Sequence, residues 1–172
     1  ASNNVAVGAG ALDAETTRAG NVAIGNNALG VQNTASGPCT AVGFAAGDSI
    51  TTGGNNTAIG YDALGSMSTG YNNVALGHNA GGGCTSIGNT LVGAYAGDGT
   101  MTGNCNTVLG YYAMSANQAG HNNTGIGCNA LYAQTSGNGN TVVGHYAGDQ
   151  VSSGGNNTLI GTDAGSDALT TI

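Results

Sequence analysis

The sequence predicts an all-β fold, a parallel β-solenoid of about ten coils of 17 residues, on three observations. Ten glycines recur in near-constant register: Gly8, Gly25, Gly43, Gly60, Gly77, Gly93, Gly110, Gly127, Gly144 and Gly161, in steps of 17, 18, 17, 17, 16, 17, 17, 17 and 17 residues. Each sits inside one recurring phrase, seen most plainly in residues 56–64, NTAIGYDAL. At the heart of that phrase stand glycine and β-branched residues, which are poor helix formers. A fixed period of this kind marks stacked repeats, in which each unit buries its apolar face only against its neighbours.

The ten copies can be compared column by column, counting from the repeat glycine. Four residues before it stands Asn in nine copies (Asn4, Asn21, Asn56, Asn73, Asn89, Asn106, Asn123, Asn140, Asn157), with Cys39 in the tenth. Three before it is always Thr or Val, and one before it is always a branched aliphatic, as in Val42, Ile59 and Leu76. Three after it is always Ala, from Ala11 to Ala164, followed by Leu, Met or Gly. A short strand places Thr57 and Ile59 on one face and Ala58 on the other. Stacked coils then turn each column into a ladder at roughly 4.8 Å spacing, a rod of about 50 Å. On this reading the Val, Ile and Leu rungs fill the interior. The glycine suits a corner with positive φ, the asparagine a left-handed turn or an amide ladder, and the alanine a closely approaching second wall.

The opposite strand face carries the next expectation. Two residues before each glycine stand Ala6, Ala23, Ala41, Ala58, Ala75, Leu91, Val108, Gly125, Val142 and Leu159, none of them polar. A water-facing strand alternates apolar with polar residues. An apolar stripe along the rod therefore predicts a second buried surface, covered by flanking loops or by other copies of the chain, most simply three rods about one axis. The predicted assembly face is thus Ala6, Ala23, Ala41, Ala58, Ala75, Leu91, Val108, Val142 and Leu159.

The segments GNNTAIGYDAL and YNNVALGHNAG resemble the head repeats of trimeric, YadA-like autotransporter adhesins, and still more the NNTAIGYxAL repeats of phage and viral tail-fibre proteins. The resemblance runs from Asn4 to Gly165. It implies a left-handed β-roll, trimeric, on a cell surface or virion, with structural and adhesive work and no catalysis. The 17-residue period is longer than that of adhesin heads, and Ala stands where their signature often ends in Ser.

Composition narrows the function classes. The 172 residues hold one Lys or Arg, Arg18, against eight Asp or Glu, a net charge of -7. Nucleic acid and anionic membrane surfaces need clustered cations, so neither is an expected partner. No apolar run approaches the roughly 18 residues of a membrane span, and no basic-headed signal peptide is visible. Residues 13–18, DAETTR, read as a solvated loop. The Ser-, Thr- and Gly-rich connectors each keep one apolar residue, Ile50, Met67, Met101 and Val151, which predicts a further short wall per coil. Irregularities fall at residues 31–38 and 81–88. One domain, residues 1–172, is the simplest division. Neither end carries a capping element, so further protein or head-to-tail stacking is expected there.

Cys39, Cys84, Cys105 and Cys128 lack CxxC spacing, which argues against zinc. An extracellular setting permits disulfides, and Cys84 with Cys105, in consecutive coils, is the first candidate pair. His78, His121 and His145 have no identifiable partner for catalysis, and Asp48, Asp98 and Asp149 form no calcium nonapeptide. No catalytic residue, metal or cofactor is expected. The two columns after the glycine hold Phe44, Tyr61, Tyr95, Tyr111, Tyr112 and Tyr146, six of the eight aromatics. Exposed, Tyr61, Tyr95, Tyr111, Tyr112 and Tyr146 make a stacking platform for a host-surface glycan or receptor; buried, they pack a wall. Asn55, Asn122 and Asn156 open NNT sequons, although the repeat itself demands those residues.

Two functional expectations follow. The first is an extracellular structural or adhesive fibre that assembles through an apolar face. The second is a stand-alone binding solenoid, glycan-binding or ice-binding, the latter through the ladder Thr40, Thr57, Thr90, Thr107, Thr124, Thr141 and Thr158. That ladder shares its face with the aliphatics expected in the core. A solenoid lyase would need clustered carboxylates or a basic group, and only Arg18 is on offer.

Overall fold

The computed structural model describes residues 3–14, 19–31 and 37–166. Ten three-residue strands form a single parallel sheet in sequence order: β1 (Val5–Val7), β2 (Val22–Ile24), β3 (Thr40–Val42), β4 (Thr57–Ile59), β5 (Val74–Leu76), β6 (Thr90–Val92), β7 (Thr107–Leu109), β8 (Thr124–Ile126), β9 (Thr141–Val143) and β10 (Thr158–Ile160). The register follows the repeat throughout, with Ala41 opposite Ala58 and Leu91 opposite Val108. No helix occurs among the described residues. The coil count, the period and the strand phrase thus stand as the sequence predicts.

Between strands the chain turns by left-handed residues at fixed places. The repeat glycines have φ between 128° and 146°, a region open essentially to glycine alone. The residues two and four after them are also left-handed, including Asn27, Asp62 and Tyr112 in the first column and Leu29, Leu64 and Met114 in the second. Leucine rarely adopts this conformation. Here the side chains of Leu29, Leu64 and Met114 are fully buried, so packing holds the backbone where local preference would not. The NN pair divides its labour. Asn55, Asn72, Asn122 and Asn156 make an exposed left-handed turn, while the next asparagine is buried.

Those buried asparagines form an amide ladder through the interior. Asn106 Oδ1 accepts the backbone N–H of Asn123 at 2.9 Å, and Asn123 Oδ1 accepts that of Asn140 at 2.9 Å. In five of the coils Nδ2 donates to a carbonyl fourteen residues ahead, as Asn56 to Gly70 and Asn140 to Gly154, both at 2.8 Å, and Asn73 donates to Ser86, thirteen ahead. Cys39 breaks the ladder. Its N–H still donates to Asn21 Oδ1 at 2.8 Å, but its thiol lies 3.9 Å from the Gly53 carbonyl and presents no amide oxygen to the Asn56 N–H above. Cys39→Asn should therefore restore two hydrogen bonds and raise stability by about 1–2 kcal/mol. A rise in the urea midpoint with unchanged slope is the expected reading.

The face assignment is the reverse of the expectation. Ala23, Ala41, Ala58, Ala75, Leu91, Val108 and Val142 are not an assembly face; they lie in the core, at most 1% exposed. Leu159 is half-buried against the same core, and Ala6 is exposed in the first strand. The branched aliphatics expected inside face outward: Val7, Ile24, Ile59, Leu109 and Ile160 are all exposed. Volume is the physical reason. The invariant alanines, Ala28 through Ala147, and the asparagine ladder already occupy the narrow interior, so one more column of branched side chains on the same side would overpack it.

In part of the stack the interior columns compensate one another in size, although Val108 and Met114 are both fully buried in one coil. Where Leu91 or Val142 points in, Gly97 or Gly148 follows; where Gly125 points in, Leu131 follows. A Cβ on Gly97 would sit 2.6 Å from Met101 Cε and 2.9 Å from Leu91 Cδ2. Ile50, Met67, Met101 and Val151 close the core from the connectors, fully buried, as the sequence predicts. Asn117 and Gln134 take that column in two coils and bond locally, Asn117 Oδ1 accepting the Gly120 N–H at 2.9 Å and Gln134 Nε2 donating to the Gly137 carbonyl at 3.1 Å, while the buried Gln134 Oε1 has no partner among the described residues.

Candidate functional site

Two surfaces remain after the core is accounted for, the strand face and the turn edge beside it. On the strand face each coil presents two outward residues, Thr or Val and then Val, Ile or Leu. Thr90, Thr107, Thr141 and Thr158 are exposed, and Thr40, Thr57 and Thr124 half-buried. Beside them Leu109 is 47% and Ile160 70% exposed, values unusual for side chains of this type in a regular strand. Parallel sheets ordinarily have both faces covered. This one is covered on its inner face, while its outer face is exposed or half-buried from coil to coil, Val42, Leu76, Val92, Ile126 and Val143 being half-buried. The threonine column thus stands on the outside with the aliphatics, not beside a buried core.

The turn edge gathers the aromatics. Phe44 stacks on Tyr61 with ring centroids 5.3 Å apart, and Tyr61 on His78 at 5.0 Å. His78 meets Tyr95 edge-on at 5.0 Å, and Tyr95 stacks on Tyr112 at 4.7 Å. The file starts in the column just after the repeat glycine and moves to the next column where Ala94 supplies no ring. Tyr111 adds an edge-on contact to Tyr112 at 4.5 Å. Burial pushes the Tyr112 phenol above its ordinary range, and Tyr111, Tyr95 and Asp98 add to the effect. Tyr61, Tyr111 and Tyr146 are exposed while Tyr95 and Tyr112 are half-buried, so the five tyrosines read as a platform share one edge.

Sequence reasoning missed two members of that edge. Tyr132 lies outside the two aromatic columns yet stands edge-on to Tyr112 at 6.4 Å. Asn129 lies in the second column and, with Tyr112, Tyr132 and Tyr146, lines a cleft of about 350 Å³. The available signal was a negative one: the eighth coil carries Cys128 and Asn129 where its neighbours carry rings.

The remaining candidates separate. Cys84 is buried in the core and Cys105 is exposed on a left-handed turn, and all four cysteines are free thiols. The Cys84–Cys105 disulfide is therefore corrected: one side chain points into the coil and the other out of it. His121 accepts, through Nδ1, the backbone N–H of Asn104 at 3.0 Å, and its backbone N–H donates to Asn138 Oδ1 at 2.7 Å, a packing role. Asn55, Asn122 and Asn156 are exposed and serve the turn. Asp48 and Asp98 share one column, and burial raises both carboxyls above the usual range, Asp62 adding its charge at Asp48. No cluster of three metal-ligating side chains occurs among the described residues. Arg18 and residues 32–36 lie outside the described residues. Comparison with protein-family models, with curated proteins and with solved structures gives no significant match.

Proposed function

We propose that the protein is a structural or adhesive fibre component that assembles with copies of itself through its outer strand face, most simply as three rods about one axis. The observation that carries the proposal is the outward-facing Thr/Val and Val/Ile/Leu double ladder on a ten-strand sheet. Branched aliphatic side chains repeated on every coil form a contiguous apolar band, and bands of that extent are seldom left in water. A second copy has an identical band with the same 4.8 Å or so of axial repeat, so rung can pack between rungs for the whole length. Rotational symmetry then closes the contact. The corrected face is the one on the outside of the coil, and the resemblance to adhesin heads and tail fibres points the same way. An extracellular or virion location and a host-surface partner belong to this reading as proposals, as does the absence of catalysis.

Solution mass tests it directly. The native chain should run at a multiple of 16.4 kDa, and the double variant Ile59→Glu/Leu109→Glu should run as a folded monomer with an unchanged circular dichroism spectrum. Both side chains are exposed in the single chain, so the charges harm only an assembly. A native monomer overturns the proposal.

One observation favours a second reading, the ice-binding solenoid. The threonine column lies on the outer face and recurs in parallel register in seven of the ten strands, with Val5, Val22 and Val74 in the others. Thermal hysteresis from a monomeric native protein would select that reading over the fibre.

A further inference from the structure

We infer that the gap in the aromatic file at the eighth coil is a binding slot for one neutral hexopyranose ring, the terminal or internal unit of a glycan. The inference is independent of how the rods assemble, since the slot lies on the turn edge and not on the strand face.

The file supplies the geometry. Stacked rings in successive coils repeat at 4.7–5.3 Å. Tyr112 and Tyr146 occupy the same column two coils apart, which places their ring layers roughly 9.6 Å from one another by the strand spacing. That is two ring steps with one rung missing. Asn129 holds the vacant position with the same left-handed backbone as its neighbours, φ 55° against 53° at Tyr112 and 54° at Tyr146. Its short side chain leaves the rung open. The resulting cleft, about 350 Å³, is at the small end of ligand pockets, which run about 300–1,000 Å³.

The lining chooses the ligand. Tyrosine rings bound the slot at both ends and Tyr132 at the side, offering the apolar faces on which the C–H face of a sugar ring stacks. The polar groups are phenol hydroxyls and the Asn129 amide, all neutral. That amide makes a single weak contact within the protein, Nδ2 to Cys128 Sγ at 3.6 Å, and so keeps its capacity to bind ring hydroxyls. The chain carries a net charge of -7, so an anionic ligand is repelled. A multiply hydroxylated, uncharged ring uses every feature of the slot; a planar aromatic ligand leaves the amide and phenols unused.

The test is titration of the native protein with methyl α-glycosides of glucose, mannose, galactose and N-acetylglucosamine, followed by NMR. At least one should shift the ring resonances of Tyr112, Tyr132 and Tyr146 and the Asn129 side-chain amide saturably in the millimolar range. Asn129→Tyr fills the missing rung with a residue the column already accepts at the same φ, and should abolish those shifts while leaving the spectrum folded. Tyr132→Ala should weaken binding by about tenfold. The inference is overturned if none of the four glycosides shifts these resonances, if N129Y binds as the native protein does, or if p-cresol saturates the slot where the glycosides do not.

Discussion

Gly110→Ala should destabilise the protein by about 2–6 kcal/mol. Two costs combine. Gly110 has φ 146°, where a residue with Cβ carries a penalty of about 1–3 kcal/mol. The added methyl would also overlap the Gly127 carbonyl, 2.6 Å from its carbon and 3.2 Å from the Cys128 nitrogen. Those atoms are backbone of the next coil and cannot rotate away, so the overlap costs a further amount on the order of 1–3 kcal/mol. Stability in a solenoid is carried through nearest-neighbour contacts, and one coil pushed off its neighbour opens the stack in the middle. Gly161→Ala provides the control. Its φ is 128°, but among the described residues a Cβ there meets only Ala164 Cβ at 4.0 Å. Urea unfolding should rank G110A well below G161A, and G161A below the native protein. Equal losses would show that conformation alone, not the neighbouring coil, requires the glycine.

Asn106→Ala is expected to cost about 2–4 kcal/mol. Its side chain is 1% exposed and sits in the middle of the amide ladder. Truncation strands the Asn123 N–H, which Asn106 Oδ1 accepts at 2.9 Å, and leaves the Gly120 carbonyl, to which Nδ2 donates at 2.9 Å, with only the longer bond from Asn117 Nδ2 at 3.4 Å. A buried group deprived of its partner costs about 1–3 kcal/mol, and the loss of the shorter Gly120 bond adds about 1 kcal/mol. Asn106→Asp separates hydrogen bonding from shape. The isosteric carboxylate still accepts from Asn123 but faces the Gly120 carbonyl with a second acceptor and brings a charge into the interior. Asp should therefore be at least as damaging as Ala at pH 7 and recover part of the loss on acidification, when the protonated carboxyl can donate again. Unfolding midpoints at pH 7 and pH 4 read both. An aspartate variant as stable as the native protein at pH 7 would mean that the ladder is not held by the Gly120 bond.

The ten-coil stack was legible because identical columns recur, and recurrence is a statement about neighbours that needs no coordinates. The glycines, the alanines and the asparagines each named a constraint, and the structure assigns the constraints to a φ near 135°, a fully buried wall and an amide ladder. The aromatic columns announced one edge, but not the empty rung at Asn129, whose meaning depends on the rings above and below it. Tyr132 could not be placed from its column at all, because it stands beside Tyr112 only through the turn closed by its N–H on the Asn129 carbonyl at 3.3 Å.

The parity of the strands was also in the sequence, and the direction of that parity was not. Two-residue alternation sorts Thr57 and Ile59 from Ala58, yet both sets are tolerated by a core, and an apolar side chain is not obliged to be inside. What decided was the volume left between the strand and the facing alanine wall, a distance fixed only when the coil closes. It admits Ala58, Val108 and, where a glycine stands opposite, the larger Leu91. It excludes a second branched column, and so the isoleucines and leucines that mark each repeat lie on the outer surface, where another copy of the chain can meet them.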